Sequence, residues 1–70
     1  MNIQDLKAEI ARHDLSIPKL ADLIGIDKKT LYSRINEETS FKQDEIIKIS
    51  TVLKLTDDKT LSIFFAGIVS

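Results

Sequence analysis

Seventy residues with no cysteine and a single histidine, His13, exclude a disulfide framework, a thiolate metal site and a histidine metal cluster. An apolar fraction of 43% beside 30% charged residues is that of a folded soluble domain rather than a disordered segment. The formal net charge of −1 hides a gradient: residues 16–36 carry Lys19, Lys28, Lys29 and Arg34 against Asp22 and Asp27, whereas both flanking segments are net acidic.

A chain this short is expected to form one domain, residues 1–70, of marginal stability, because it buries only roughly 60% of its unfolded surface. No apolar run approaches the ~20 residues that span a bilayer, so no membrane is expected as a partner. The opening MNIQDLKAEI mixes charges with apolar residues, unlike a signal peptide. The absence of cysteine fits a reducing cytoplasm.

Hydrophobic periodicity predicts an all-α chain of five helices, with no convincing strand alternation. The first helix runs from about Ile3 to His13, with Ile3, Leu6 and Ile10 on one stripe. His13 at its end reads as a surface residue favoured by the helix dipole. The second helix starts after Ser16, an N-cap, with Leu15 and Leu20 at the spacing of a hydrophobic staple. Pro18 lies in its first turn, and Gly25 ends it by taking a left-handed conformation. The third helix, Lys28 to Asn36, repeats this start with Asp27 as cap and Ile26 with Leu31 as staple. A loop over residues 36–40 follows.

The fourth helix runs from about Lys42 or Gln43 to Lys54, with Ile46, Ile49 and Leu53 facing inward. Its cap is open: Ser40 with Gln43 has capping-box spacing, while a later start leaves Lys42 at the cap. Thr56 is predicted to cap the fifth helix, with Asp57 and Asp58 at the positive end of its dipole. Leu61, Phe64, Phe65 and Ile68 recur at helical spacing, and Gly67 is placed to end the helix and leave Ile68 and Val69 in a tail. The acidic pairs Asp44–Glu45 and Asp57–Asp58 lie in first turns, where acids are expected. No nucleophile–base arrangement or phosphate-cradling glycine loop is visible, so neither an enzyme nor a cofactor is expected.

Residues 16–36 carry the functional reading. Ala21 is small enough for the third helix to cross closely over the second, Gly25 makes the turn, and Leu31 anchors the third helix. At about 100° per residue, Leu31 and Ile35 define its buried side, Lys29 and Ser33 fall nearly opposite, and Tyr32 and Arg34 lie on the flanks. Lys28, Lys29, Thr30 and Ser33 are expected on base edges, with Tyr32 and Arg34 completing the DNA-binding set. Phosphate contacts are expected from Ser16, Lys19, Asn36 and Lys42. Each of these is equally an ordinary surface residue when taken alone.

The stretch LADLIGIDKKTLYSRIN resembles the Leu-Ala-x-x-x-Gly-Ile core and following Thr-Leu-Tyr of the phage Cro/C1-repressor (XRE) family of helix-turn-helix regulators. FKQDEIIKISTVLKLT and LSIFF resemble the fourth and fifth helices of its short Cro-like members from Gram-positive phages and prophages. The resemblance implies a compact five-helix, lambda-repressor-like DNA-binding domain acting in the bacterial cytoplasm, with double-stranded operator DNA as partner and a homodimer as the working form. Three positions depart from the family pattern. Ile17 stands where many relatives have Gln, Glu37 and Glu38 follow Asn36 where relatives often have Gly, and Lys42 replaces a Ser or Thr cap. The two carboxylates would repel DNA unless they turn outward.

The apolar run IFFAGIV near the C-terminus supplies a second expectation. Phe64 or Phe65 closes the core, both being too large to bury fully in so small a domain. The remainder of Phe64, Phe65, Ile68 and Val69 forms a dimer or partner contact. Two functions follow: a Cro-like transcriptional regulator in phage lysis–lysogeny control, or a modulator or antirepressor that binds a phage repressor protein and alters its operator affinity.

Overall fold

The computed structural model describes residues 1–66, and five helices order them: α1 (Ile3–Arg12), α2 (Ile17–Ile24), α3 (Lys28–Ile35), α4 (Gln43–Val52) and α5 (Asp57–Phe64). No strand occurs among the described residues. Four of the five helices start on a side-chain cap. Asn2, Ser16, Asp27 and Thr56 accept the backbone N–H of Asp5, Lys19, Lys29 and Lys59 at 3.1, 3.2, 2.9 and 3.1 Å. α4 differs, because its cap is Lys42, which has no side-chain acceptor. There the Glu45 carboxylate reaches back and accepts the Lys42 N–H at 2.9 Å, so Ser40 is not the cap.

The C-terminal ends of α1 to α4 share one closure. The N–H groups of Leu15, Ile26, Glu38 and Leu55 donate to the carbonyls of Ile10, Ala21, Ser33 and Ser50 at 3.1, 3.0, 2.9 and 2.9 Å. This six-to-one bond needs a left-handed residue just before its donor. Those residues are Asp14, Gly25, Glu37 and Lys54, with φ of 56°, 76°, 61° and 53°. Three of the four positions that favour glycine therefore carry a side chain. Left-handed backbone costs an L-residue about 1–2 kcal/mol, and glycine returns about 0.5–1 kcal/mol of that as unfolded-state entropy. Glu37→Gly is therefore expected to stabilise the domain by about 0.5–1 kcal/mol, read as a higher urea midpoint at unchanged m-value. The reverse change, Gly25→Ala, meets no heavy atom within 4 Å. It should cost about 0.5–1 kcal/mol by the same accounting, with no added clash.

Leu6 and Ile10 from α1, Leu20, Ala21 and Ile24 from α2, Leu31 and Ile35 from α3, Ile49 from α4 with Leu53 at its end, and Ile63 and Phe64 from α5 form one core. α3 packs on α2, α2 on α4, and α5 on both α1 and α4. The chain start is tied in by the Asn2 N–H, which donates to the Ile63 carbonyl at 2.7 Å.

α5 departs from its predicted stripe. Ile63 and Phe64 are buried, Phe65 is half-buried and Leu61 is exposed. Phe64 stacks edge-on against Phe41, with ring centres 5.3 Å apart. The helix ends at Phe64, with Phe65 as its C-terminal cap. Gly67 and the expected contacts of Ile68 and Val69 lie outside the described residues. In α4, Ile49 and Leu53 are buried as expected, but Ile46 is only half-buried, and the inward place beside it belongs to Glu45. His13 is half-buried, and its Nδ1 lies 2.9 Å from the Glu9 carbonyl oxygen, so the imidazole caps the end of α1 instead of standing in solvent.

Candidate nucleic-acid interface

Two fully packed side chains hold α3: Leu31 is 0% exposed and Ile35 2%. With that side fixed, helix geometry sends the residues at other angles outward. Lys28, Lys29, Tyr32 and Asn36 are exposed, while Thr30 and Ser33 are half-buried. Lys28 and Tyr32, Lys29 and Ser33, and Tyr32 and Asn36 are each four residues apart, so they form adjoining rows on one surface. The start of α2 adds exposed Ser16 and Lys19, and the start of α4 adds exposed Lys42. The concave places lie elsewhere. A groove of about 400 Å³ is lined by Phe41, Ile46, Phe64 and Phe65 with Met1, and one of about 450 Å³ by Ile47, Ser50, Leu55 and Thr60. Neither groove is lined by Lys28, Lys29, Tyr32 or Ser33.

Arg34 does not join that face. Its Nε and Nη2 donate to the two carboxylate oxygens of Glu45 at 2.9 and 3.3 Å, and its Nη1 donates to Thr39 Oγ1 at 2.7 Å. The side chains of the pair are 12% and 5% exposed. Arg34, expected among the DNA-binding residues, is thus engaged with a buried carboxylate in the free chain. Burial pushes the Glu45 carboxyl up, but the hydrogen bonds from Arg34 and the Lys42 N–H, with the Arg34 charge, outweigh it and hold the group below its ordinary value. The same hydrogen bond raises the Arg34 guanidinium. A second buried acid, Glu9, pairs with Arg12 at 2.7 Å, and that hydrogen bond likewise lowers the Glu9 carboxyl.

Ile17 and Glu37, two of the departures noted in the sequence, have structural reasons. Ile17 is half-buried against the core, so it serves packing rather than a polar surface. The Glu37 carboxylate lies 3.9 Å from the Met1 ammonium, a direction set by its left-handed backbone. Glu45 stands in the first turn of α4 as expected, but its burial and its pairing with Arg34 go beyond the sequence, as does the burial of Glu9. For Glu45 the available clue was its place three residues after the Lys42 cap, where an acid commonly bonds back to the cap N–H.

Among the described residues no three acidic, histidine or cysteine side chains gather as a metal site, and no helix is long and apolar enough to cross a membrane. Two short helices joined through a left-handed glycine, the second packed on the first and showing lysines outward, define a helix-turn-helix module. A family model described as Helix-turn-helix matches residues 6–59, from α1 into α5, and the chain belongs to that Cro/C1-type family of DNA-binding transcription regulators. No curated protein and no solved structure matches the chain.

Proposed function

We propose that residues 1–70 act as one sequence-specific, Cro-like transcriptional regulator that reads the major groove with α3 and performs no catalysis. The observation that carries this reading is the outward presentation of Lys28, Lys29 and Tyr32 on a helix whose opposite side is anchored by Leu31 and Ile35. Lys28, Lys29, Thr30 and Ser33 contact base edges, and Ser16, Lys19, Asn36 and Lys42 contact phosphates. A homodimer sets two copies of α3 roughly 34 Å apart in successive major grooves of a near-palindromic operator. The resemblance to short Cro-like proteins supports a place in phage or prophage lysis–lysogeny control in a bacterial cytoplasm. Fluorescence anisotropy against duplexes from the DNA flanking its own gene tests this. Salt-sensitive binding at low ionic strength is expected, and none for the wild-type chain would reject the reading.

A second reading is favoured by the apolar surface on the last two helices. Ile47 on α4 and Leu61 on α5 are 59% and 48% exposed, and Phe65 is only half-buried. Such residues suit a protein partner, here a phage repressor whose operator affinity the chain would alter. Co-elution with the repressor encoded beside it, at micromolar concentration, is the expected result. Separate elution removes this reading.

A further inference from the structure

The Arg34–Glu45 pair spans two helices that otherwise barely meet. α3 packs chiefly on α2, and α4 packs on α2 and α5. α3 is therefore gripped hydrophobically from one side, by Leu31 and Ile35, an arrangement that resists translation better than rotation about the helix axis. The bidentate contact from Arg34 to Glu45 supplies a second grip at a different angle. Its far end is fixed, because Glu45 Oε1 also accepts the Lys42 N–H at the start of α4. A third arm, from Arg34 Nη1 to Thr39 Oγ1, ties in the loop between α3 and α4.

We infer that the Arg34–Glu45 pair, with Thr39, is a positioning device that fixes the rotation of α3 and thereby sets discrimination between DNA sequences rather than overall attraction to DNA. The inference rests on the proposed reading of α3 as the groove-binding helix. A rotation of about 15° moves a side-chain tip about 5–6 Å from the helix axis by roughly 1.5 Å. A displacement of that size breaks hydrogen bonds to base edges, which need tight geometry. It is tolerated by contacts to phosphates, which are largely coulombic. Arg34 and Glu45 are positioning residues in this scheme and touch no DNA.

The test uses duplexes selected by the wild-type chain from a random library, compared with unselected random duplex. The double variant Arg34→Gln with Glu45→Gln keeps the net charge and the Lys42 N–H acceptor while removing the ion pair. Thr39→Ala removes one arm at an exposed residue and serves if the double variant does not fold. Affinities are measured where circular dichroism shows each variant folded. The double variant should lower the selected-to-random affinity ratio about tenfold, and Thr39→Ala about two- to threefold, with random-duplex affinity within twofold of wild type. Unchanged ratios in the folded variants overturn the inference. Residual dipolar couplings of the free protein give a readout independent of DNA, and α3 should reorient against α4 in the variants. If the wild type selects no sequence, the proposed function fails while the couplings still decide the clamp: a fixed α3 orientation overturns it, and a changed one supports it.

Discussion

Replacing Lys28 and Lys29 together by alanine is expected to weaken binding to a preferred duplex by about 30- to 1,000-fold, or roughly 2–4 kcal/mol at the ~1–3 kcal/mol typical of each base contact. Both lysines are exposed at the first turn of α3, and neither forms an ion pair or side-chain hydrogen bond among the described residues. Stability should therefore stay within about 0.5 kcal/mol of wild type, so the lost affinity reports the interface itself. The salt dependence separates base contact from phosphate contact. Lysines on phosphates would each reduce the log–log slope by about 0.9, with uniform loss across sequences. Lysines on base edges would flatten the preference between sequences at the positions they read. Lys7→Ala, on α1 and outside the helix-turn-helix, should leave affinity and preference unchanged. If the double alanine variant binds as wild type does, α3 is not the groove-binding element.

The helix-turn-helix was legible because its determinants are local. Ser16 and Asp27 sit just before the helices they cap, Gly25 takes its left-handed turn from its own missing Cβ, and Leu31 anchors α3 four residues after Asp27. The misreadings share a different cause. Arg34 counted as a surface cation because its partner stands eleven positions on, across a loop, and only the tertiary fold brings Glu45 to it. In α5 the apolar residues admit two stripes one position apart. Phe64 of the expected stripe is buried, but Ile63 takes the core place beside it while Leu61 is exposed. The three left-handed positions without glycine were invisible for the opposite reason. Asp14, Glu37 and Lys54 carry no compositional mark, and each closes its helix through a hydrogen-bond pattern that sequence periodicity does not record. The site is less legible than the fold: periodicity alone places Lys29 outward, Lys28 follows from its position at the helix start, and only the tertiary fold shows that Arg34 is engaged by Glu45.

Glu45→Gln is expected to destabilise the domain by roughly 2–3 kcal/mol at neutral pH, below the ~3–5 kcal/mol of a fully buried pair because Arg34 keeps a narrow route to solvent. The glutamine still offers an oxygen to the Lys42 N–H, so the loss isolates the charge rather than the cap. A domain of this size has only about 4–10 kcal/mol in total, and the melting temperature should fall by about 8–20 °C. The sign of the pH dependence follows from the direction of the shift. Glu45 is held below its ordinary value of 4.5 in the folded chain, so the unfolded chain binds more protons as the solution is acidified. The contribution is complete above the unfolded value and is lost as pH falls through the lower, folded one. Urea unfolding of wild type and Glu45→Gln should therefore differ most at pH 6–7, and the gap should narrow as the pH falls below the ordinary value of 4.5. Glu9, lowered by its hydrogen bond from Arg12, has the same sign, so the Gln variant should retain some acid sensitivity that Glu9→Gln then removes. A gap between wild type and Glu45→Gln that stays constant from pH 7 to pH 3 would mean that packing around the carboxyl, and not its charge opposite Arg34, holds α3 to α4.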